Sequence, residues 1–310
     1  MRHGRVRFLA AALLALLFSL AACCNGGSVR AKGGAAPSPA ASSAPATVWR
    51  GAEFDETAAE YDHAVGADLS HLSEGYAAFR AENEKRLKVQ IIHGVEKYNY
   101  DLPGDGTVTV CPLNMGDGDY TFRVMENIEG DRYAPIWKAE RRVTLSDEFQ
   151  PFLRPSVMVR YDADSDCVAE AAQLTGGRET DVEQVAAVYA YLVEEVEYDY
   201  EKAKSVQRGY LPDPDATLEE KKGICFDYAA LAAAMLRSQG IPCKLITGYV
   251  EPDGVYHAWN EIYLKDRGWI TAKIKAGGRD WKHVDITFAS NGVPASKTDN
   301  EKLYTKRYTY

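Results

Sequence analysis

Cysteine is scarce in this chain, and that scarcity sets limits. Six cysteines occur in 310 residues, two of them adjacent at Cys23-Cys24. The others, Cys111, Cys167, Cys225 and Cys243, are scattered without the regular spacing of a disulfide-stapled scaffold. Positive charge is also short: 36 Lys and Arg stand against 45 Asp and Glu, a net charge of −9. A nucleic-acid partner, or an anionic membrane held by a basic patch, is therefore not expected. No acidic cluster has the spacing of a calcium loop, no metal or cofactor site is apparent, and no internal repeat is evident. What is present is ordinary globular material. A hydrophobic share of 46% is enough for a real core, and the length suggests about two domains.

The first residues read as a targeting signal. Arg2, Arg5 and Arg7 form a basic start, and Phe8 to Leu20 form an apolar stretch of 13 residues. That stretch is short of the roughly 20 residues a membrane-spanning helix needs. Its ending, Leu20-Ala21-Ala22-Cys23, resembles the bacterial lipoprotein lipobox. The resemblance implies removal of residues 1–22, lipid attachment at Cys23, and a bacterial protein anchored on the extracytoplasmic side of the cell membrane. An ordinary secretory cleavage or an uncleaved anchor is the alternative. Residues 23–50 read as a flexible linker, because Asn25–Thr47 is rich in Gly, Ala, Ser and Pro. Export permits disulfides. A Cys111–Cys167 bridge nevertheless has no spacing rule behind it, and buried single thiols are the plain reading for Cys111, Cys167 and Cys243.

Residues 51–160 read as a β-rich accessory domain of sandwich type. Leu87–Ile92 and Asp119–Asn127 are strand-like. In the second, Tyr120, Phe122 and Val124 alternate with Thr121, Arg123 and Met125. From about residue 161 to 310 the pattern becomes helices followed by antiparallel strands, an α+β domain. A short helix ends at Gly176-Gly177. A second begins at Thr180 with Glu183 three residues on, the signature of a capping box. Glu201–Ala216 reads as a polar loop. A third helix starts near Cys225, carries Ala229, Ala232, Ala233 and Leu236 as an apolar stripe, and stops at Gly240. The sheet is expected from Cys243–Val250, Val255–Leu264, Gly268–Lys275 and Asp280–Phe288.

Cys225 occupies a helix start, where unpaired N–H groups and the helix dipole favour a thiolate. On position alone it is as readily a buried structural cysteine as a nucleophile. A nucleophilic thiol needs a base, and the base needs an orienting group. His257 and His283 lie in the expected sheet, with Asp285 near the end of a strand. His283 and Asp285 would project side by side from one strand, so His257 is the better base. Trp259 and Trp269 are open between lining an acyl-donor groove and packing in the sheet.

Several blocks of residues carry a family resemblance. Gly223-Ile224-Cys225-Phe226-Asp227-Tyr228-Ala229, Gly240-Ile241-Pro242, Thr247-Gly248-Tyr249, His257-Ala258-Trp259 and Asp285-Ile286-Thr287 resemble, in order, the core of the transglutaminase-like superfamily. The resemblance runs from about Glu194 to Ala289. It implies a papain-like α+β core with Cys225 as nucleophile, His257 as base and acid, and Asp285 as orienter. It also implies a peptide or protein substrate, a cell-wall-associated one among the options, attacked through a cysteine thioester. Hydrolysis is the expected outcome rather than cross-linking. The alternative is a non-catalytic surface or cell-wall binding protein on the same fold. Many family members take a second oxyanion donor from an upstream side chain, and Tyr198, Gln207 and Tyr210 are the candidates here. Two features depart from the family: Ile286 replaces the usual proline, and the His-to-Asp segment is lengthened by Ala276-Gly277-Gly278-Arg279-Asp280-Trp281. Calcium regulation is not carried over.

Overall fold

The computed structural model describes residues 49–252, 254–271, 273–276, 280–283, 285–291 and 301–310. The targeting segment, Cys23 and the linker as far as residue 48 lie outside the described residues.

The first eight strands are β1 (Glu60–Asp62), β2 (Val65–Asp68), β3 (Tyr76–Ala81), β4 (Leu87–His93), β5 (Glu96–Leu102), β6 (Thr109–Pro112), β7 (Gly118–Glu129) and β8 (Arg132–Val143). They form two four-stranded antiparallel sheets, ordered β1-β2-β3-β6 and β5-β4-β7-β8. Alternation sets which face is buried. Leu87, Val89 and Ile91 of β4 and Tyr120, Phe122 and Val124 of β7 point inward, while their neighbours are partly or fully exposed. These residues share one core with Val65, Ala67, Ala77 and Phe79 of the other sheet, which makes the pair a sandwich. Phe79 meets Trp137 edge to face across the layers, with ring centroids 5.9 Å apart.

The second core is built round helices. These are α1 (Asp166–Thr175), α2 (Asp181–Glu195), α3 (Tyr200–Ser205), α4 (Pro214–Glu220), α5 (Cys225–Ser238) and α6 (Ile286–Ser290). The capping box at Thr180 and Glu183 is formed. Helix α5 is the axis of this core, with every residue from Asp227 to Ser238 buried. One side packs on α1, α2 and α4. The other packs on β11 (Cys243–Val250) and β12 (Val255–Leu264). Before them come two short strands, β9 (Glu197–Tyr198) and β10 (Lys222–Gly223), which pair in parallel. Five alanines between Ala229 and Ala234 let the helix sit close to both layers. Arg237 is fully buried near its end. It donates to the carbonyls of Cys243 (2.8 Å), Arg154 (2.8 Å) and Tyr310 (3.0 Å). One side chain thus ties the helix to the sheet and to the segment entering the domain.

The main sheet differs from expectation. After β13 (Gly268–Thr271) the chain forms β14 (Lys273–Ala276) and β15 (Asp280–His283), a separate two-stranded ribbon. The fourth strand is instead β16 (Tyr304–Thr309), giving the order β13-β12-β11-β16. Gly248 permits this pairing: a Cβ there would lie 2.1 Å from the Thr305 carbonyl oxygen, beside the bulge at Thr247/Gly248. The expected strand Asp280–Phe288 also breaks up. Asp285 Oδ1 accepts the Thr287 N–H at 3.0 Å, which caps α6 and turns the chain into a helix. The expected polar loop Glu201–Ala216 contains α3 and the start of α4. Asp199 accepts the N–H groups of Glu201 and Lys202, and Asp213 accepts that of Ala216 with Pro214 following it. Cys111 and Cys167 are separate free thiols in different cores, so no bridge joins them. Both cores belong to one compact unit, residues 44–310.

Candidate active site

The site begins at the entry to α5. Gly223 is required there, because a Cβ would lie 2.7 Å from the Asp227 Cβ. Asp227, in the first helical turn, reaches back to accept the Ile224 N–H at 2.8 Å. This is one half of a capping box, since an isoleucine at the cap offers no side-chain acceptor for the other half. The turn presents Cys225 at the first helical position, where N–H groups have no partner four residues earlier. Cys225 is half-buried, whereas Cys111, Cys167 and Cys243 are fully buried. Burial pushes the thiols of those three well up.

Strand β12 supplies His257, and the cap of α6 supplies Asp285. Both are buried, and His257 Nε2 lies 2.6 Å from Asp285 Oδ2. With Nε2 committed to the carboxylate, Nδ1 is the nitrogen left for Cys225. Burial alone would pull the imidazole down. The Asp285 charge, its hydrogen bond, and the hydrogen bond and charge of Cys225 outweigh burial and push His257 up to about 10. The Trp259 ring stacks beside the imidazole at 6.3 Å and 17°. Tyr304 meets Trp259 edge on at 5.2 Å, and burial together with the Asp285 carboxylate pushes its phenol up.

The three expected residues Cys225, His257 and Asp285 are thus brought together from a helix start, a strand and a helix cap. His283 lies in β15, and its side chain is outside the described residues. Neither tryptophan lines the cleft at Cys225. Trp259 is buried beneath the imidazole. Trp269 packs against Phe149, Phe152 and Tyr263, with Lys244 Nζ 3.6 Å from its ring centroid.

The three oxyanion candidates separate. Tyr210 Oη donates to Asp227 Oδ1 (2.5 Å) and accepts from Lys202 Nζ (2.7 Å). Gln207 Nε2 donates to the Ser205 carbonyl at 2.8 Å. All three line the cleft with Cys225, and Tyr198 is the one whose phenol feels the Cys225 charge. The β9–β10 pairing sets it opposite Gly223, and Asp199 N–H bonds the Gly223 carbonyl at 2.8 Å. Burial and the nearby Cys225 charge push the Tyr198 phenol up to about 12, so it stays protonated and able to donate. Among the described residues no group of three or more His, Cys, Asp or Glu is arranged to hold a metal ion.

Residues 169–274 match the model of the transglutaminase-like superfamily, a span that holds Cys225 and His257 and stops before Asp285. The chain carries a transglutaminase-like domain. It is 26% identical over 205 residues to human kyphoscoliosis peptidase, covering 63% of this chain and 29% of that protein. It is 32% identical over 69 residues to a protein-glutamine gamma-glutamyltransferase of Pseudomonas aeruginosa, covering 18% of this chain and 10% of that protein. The chain therefore spans less than a third of the length of either relative. Among solved structures, the periplasmic domain of TgpA from Pseudomonas aeruginosa aligns over 78% of each chain at 15% identity, with a TM-score of 0.34. The transglutaminase-like domain here is a mixed helix and sheet fold preceded by a strand-rich region, as the sequence implied.

Proposed function

We propose that this chain is a cysteine-dependent acyl-transfer enzyme acting on peptide or protein amides, with hydrolysis as its main outcome. Cys225 is the nucleophile, His257 the base and acid, and Asp285 the orienter. The observation that carries this reading is the buried 2.6 Å contact of His257 with Asp285, with His257 and Cys225 lining one cleft. Cys225 Sγ attacks the carbonyl carbon with the thiol's proton already held on His257. The oxyanion forms beside the Cys225 N–H and the Tyr198 hydroxyl. The C–N bond breaks, the leaving amine takes the proton from His257, and a thioester remains on Cys225. Water, deprotonated by His257, then attacks the thioester and releases the acid and the thiol. Asp285 keeps one tautomer and orientation through each proton transfer.

The names of the relatives include both a peptidase and a glutamyltransferase, so the acceptor has to be tested. The purified full-length chain is incubated with unfolded protein substrate and a fluorescent amine, beside Cys225→Ala. New amino termini without incorporated amine are expected, and their loss in Cys225→Ala. Amine incorporation as the main product would sink hydrolysis, and equal activity in Cys225→Ala would sink the whole reading. We also propose that residues 1–22 are removed and that Cys23 carries a lipid on the extracytoplasmic face of a bacterial membrane. The lipobox-like ending at Cys23 supports this. Intact mass of the chain purified from a bacterial membrane fraction tests it: a species beginning at residue 23 with added acyl mass is expected, and a species retaining residue 1 would overturn it. We also propose a division into a β-rich part, 51–160, and a catalytic part, 161–310, which the two separate hydrophobic cores support.

A further inference from the structure

A cleft of about 430 Å³ opens beside Cys225 and His257. Its wall is made by the segment from Tyr198 to Tyr210 on one side and by β11 and β12 on the other. Tyr198, Val206, Tyr210, Phe226, Val255 and Tyr256 give it an apolar, aromatic character. Apart from His257, no basic or acidic side chain lines it among the described residues.

An ion pair stands behind the wall. Asp227 is fully buried and holds Lys202 Nζ at 2.7 Å and the Tyr210 hydroxyl at 2.5 Å. Lys202 Nζ also lies 4.6 Å from the Tyr210 ring centroid. Tyr210 therefore turns its hydroxyl towards Asp227. One carboxylate pins both the first turn of the nucleophile's helix and the wall of the cleft. At the mouth, Val206, Val255 and Tyr256 are 38%, 57% and 50% exposed, apolar surface that a seated ligand would cover.

We infer that this cleft seats a large, uncharged, apolar side chain on the residue whose backbone carbonyl Cys225 attacks. The inference rests on the catalytic reading above and narrows it to a substrate class. A backbone amide places a side chain on the carbon next to the attacked carbonyl, and that side chain needs a pocket. A glutamine side-chain amide brings only a methylene stem to the thiol. A cleft within the range of roughly 300–1,000 Å³ typical of ligand sites suits the first donor. A charged side chain would lose its water there, and His257, the charged group among the described lining residues, is already paired with Asp285.

The test uses dipeptidyl acyloxymethyl ketones with Phe, Leu, Gln, Glu or Lys next to the reactive ketone, on the purified full-length chain. Labelling of Cys225 is followed by mass and peptide mapping. Iodoacetamide, which has no side chain to seat, measures thiol reactivity alone in wild type and His257→Ala. Phe and Leu ketones should react at least about tenfold faster than Gln, Glu or Lys ketones, the scale of discrimination by side-chain fit. Val206→Lys should slow the Phe ketone relative to the Glu ketone, each rate divided by that variant's own iodoacetamide rate to remove any change in thiol reactivity. Equal rates across the series, or a fastest Gln or charged ketone, would overturn the inference while the iodoacetamide difference stood. Iodoacetamide reacting no faster in wild type than in His257→Ala would overturn the catalytic reading, and the inference with it.

Discussion

The charge state of His257 has a consequence for stability that can be measured without any substrate. Its folded value is pushed up to about 10 from the ordinary imidazole value of 6.5, against the opposing effect of burial, with the Asp285 charge the largest of the raising causes. Between those values the native state holds a proton that the unfolded chain has lost. Stability from the pair is therefore complete below about pH 6.5 and declines as pH rises towards 10. The contribution is on the order of 4 kcal/mol at pH 7 and about 1 kcal/mol at pH 9. The pair thus loses about 3 kcal/mol over that interval. The assay is urea unfolding at pH 7, 8 and 9 of Cys225→Ala and of Cys225→Ala/His257→Gln. The shared alanine removes the ionisation of the thiol and leaves Asp285 as the raising cause. The stability difference between the two proteins should shrink steadily with pH, by a sizeable part of that loss. A difference that stays level or grows would refute a protonated His257 held by Asp285.

Three further outcomes follow from contacts in the structure. Tyr198→Phe should lower kcat on an amide substrate by roughly 10²-fold with little change in KM, as loss of one oxyanion donor does; an unchanged kcat would remove Tyr198 from the site. Leu231→Ala, at a fully buried position in α5, should cost about 2–5 kcal/mol in urea unfolding, and a cost under about 1 kcal/mol would mean the helix is not the axis of its core. Arg237→Leu strands three carbonyl groups and should cost on the order of 3 kcal/mol; a stability equal to wild type would show that they find other partners.

Much of the catalytic half was legible because its signals are local. Thr180 and Glu183 announce a helix start, and Ala229, Ala232, Ala233 and Leu236 announce a helix with an apolar stripe, which the structure packs on both sides. The blocks at Cys225, His257 and Asp285 gave the residues that the fold draws together. What was misread depended on partners far along the chain. The strand β16 pairs with β11 across some 50 residues of sequence, a pairing that no local pattern signals. Asp285 was read as a strand residue because Asp280–Phe288 has strand-like composition. Its carboxylate caps a helix instead, which is also what holds it rigid beside His257. The segment after Asp199 looked like a polar loop, although Asp199 and Asp213-Pro214 are good helix starts. That misreading hid the wall of the cleft. Asp227 was quoted in the sequence as part of a motif, but its bonds to Lys202 and Tyr210 cross 25 and 17 residues and have no periodic signature.

The central claim is that His257 activates the thiol of Cys225. The most direct measurement is the second-order rate of iodoacetamide alkylation at Cys225 at pH 6, in wild type and in His257→Ala. An ordinary thiol, with a pKa of about 8.5, is less than about 1% thiolate at that pH. The three buried thiols, pushed up by burial, stay silent in the peptide map. Wild type should react at least about tenfold faster than His257→Ala, because an imidazolium beside the sulfur favours the thiolate. Equal rates would contradict the account.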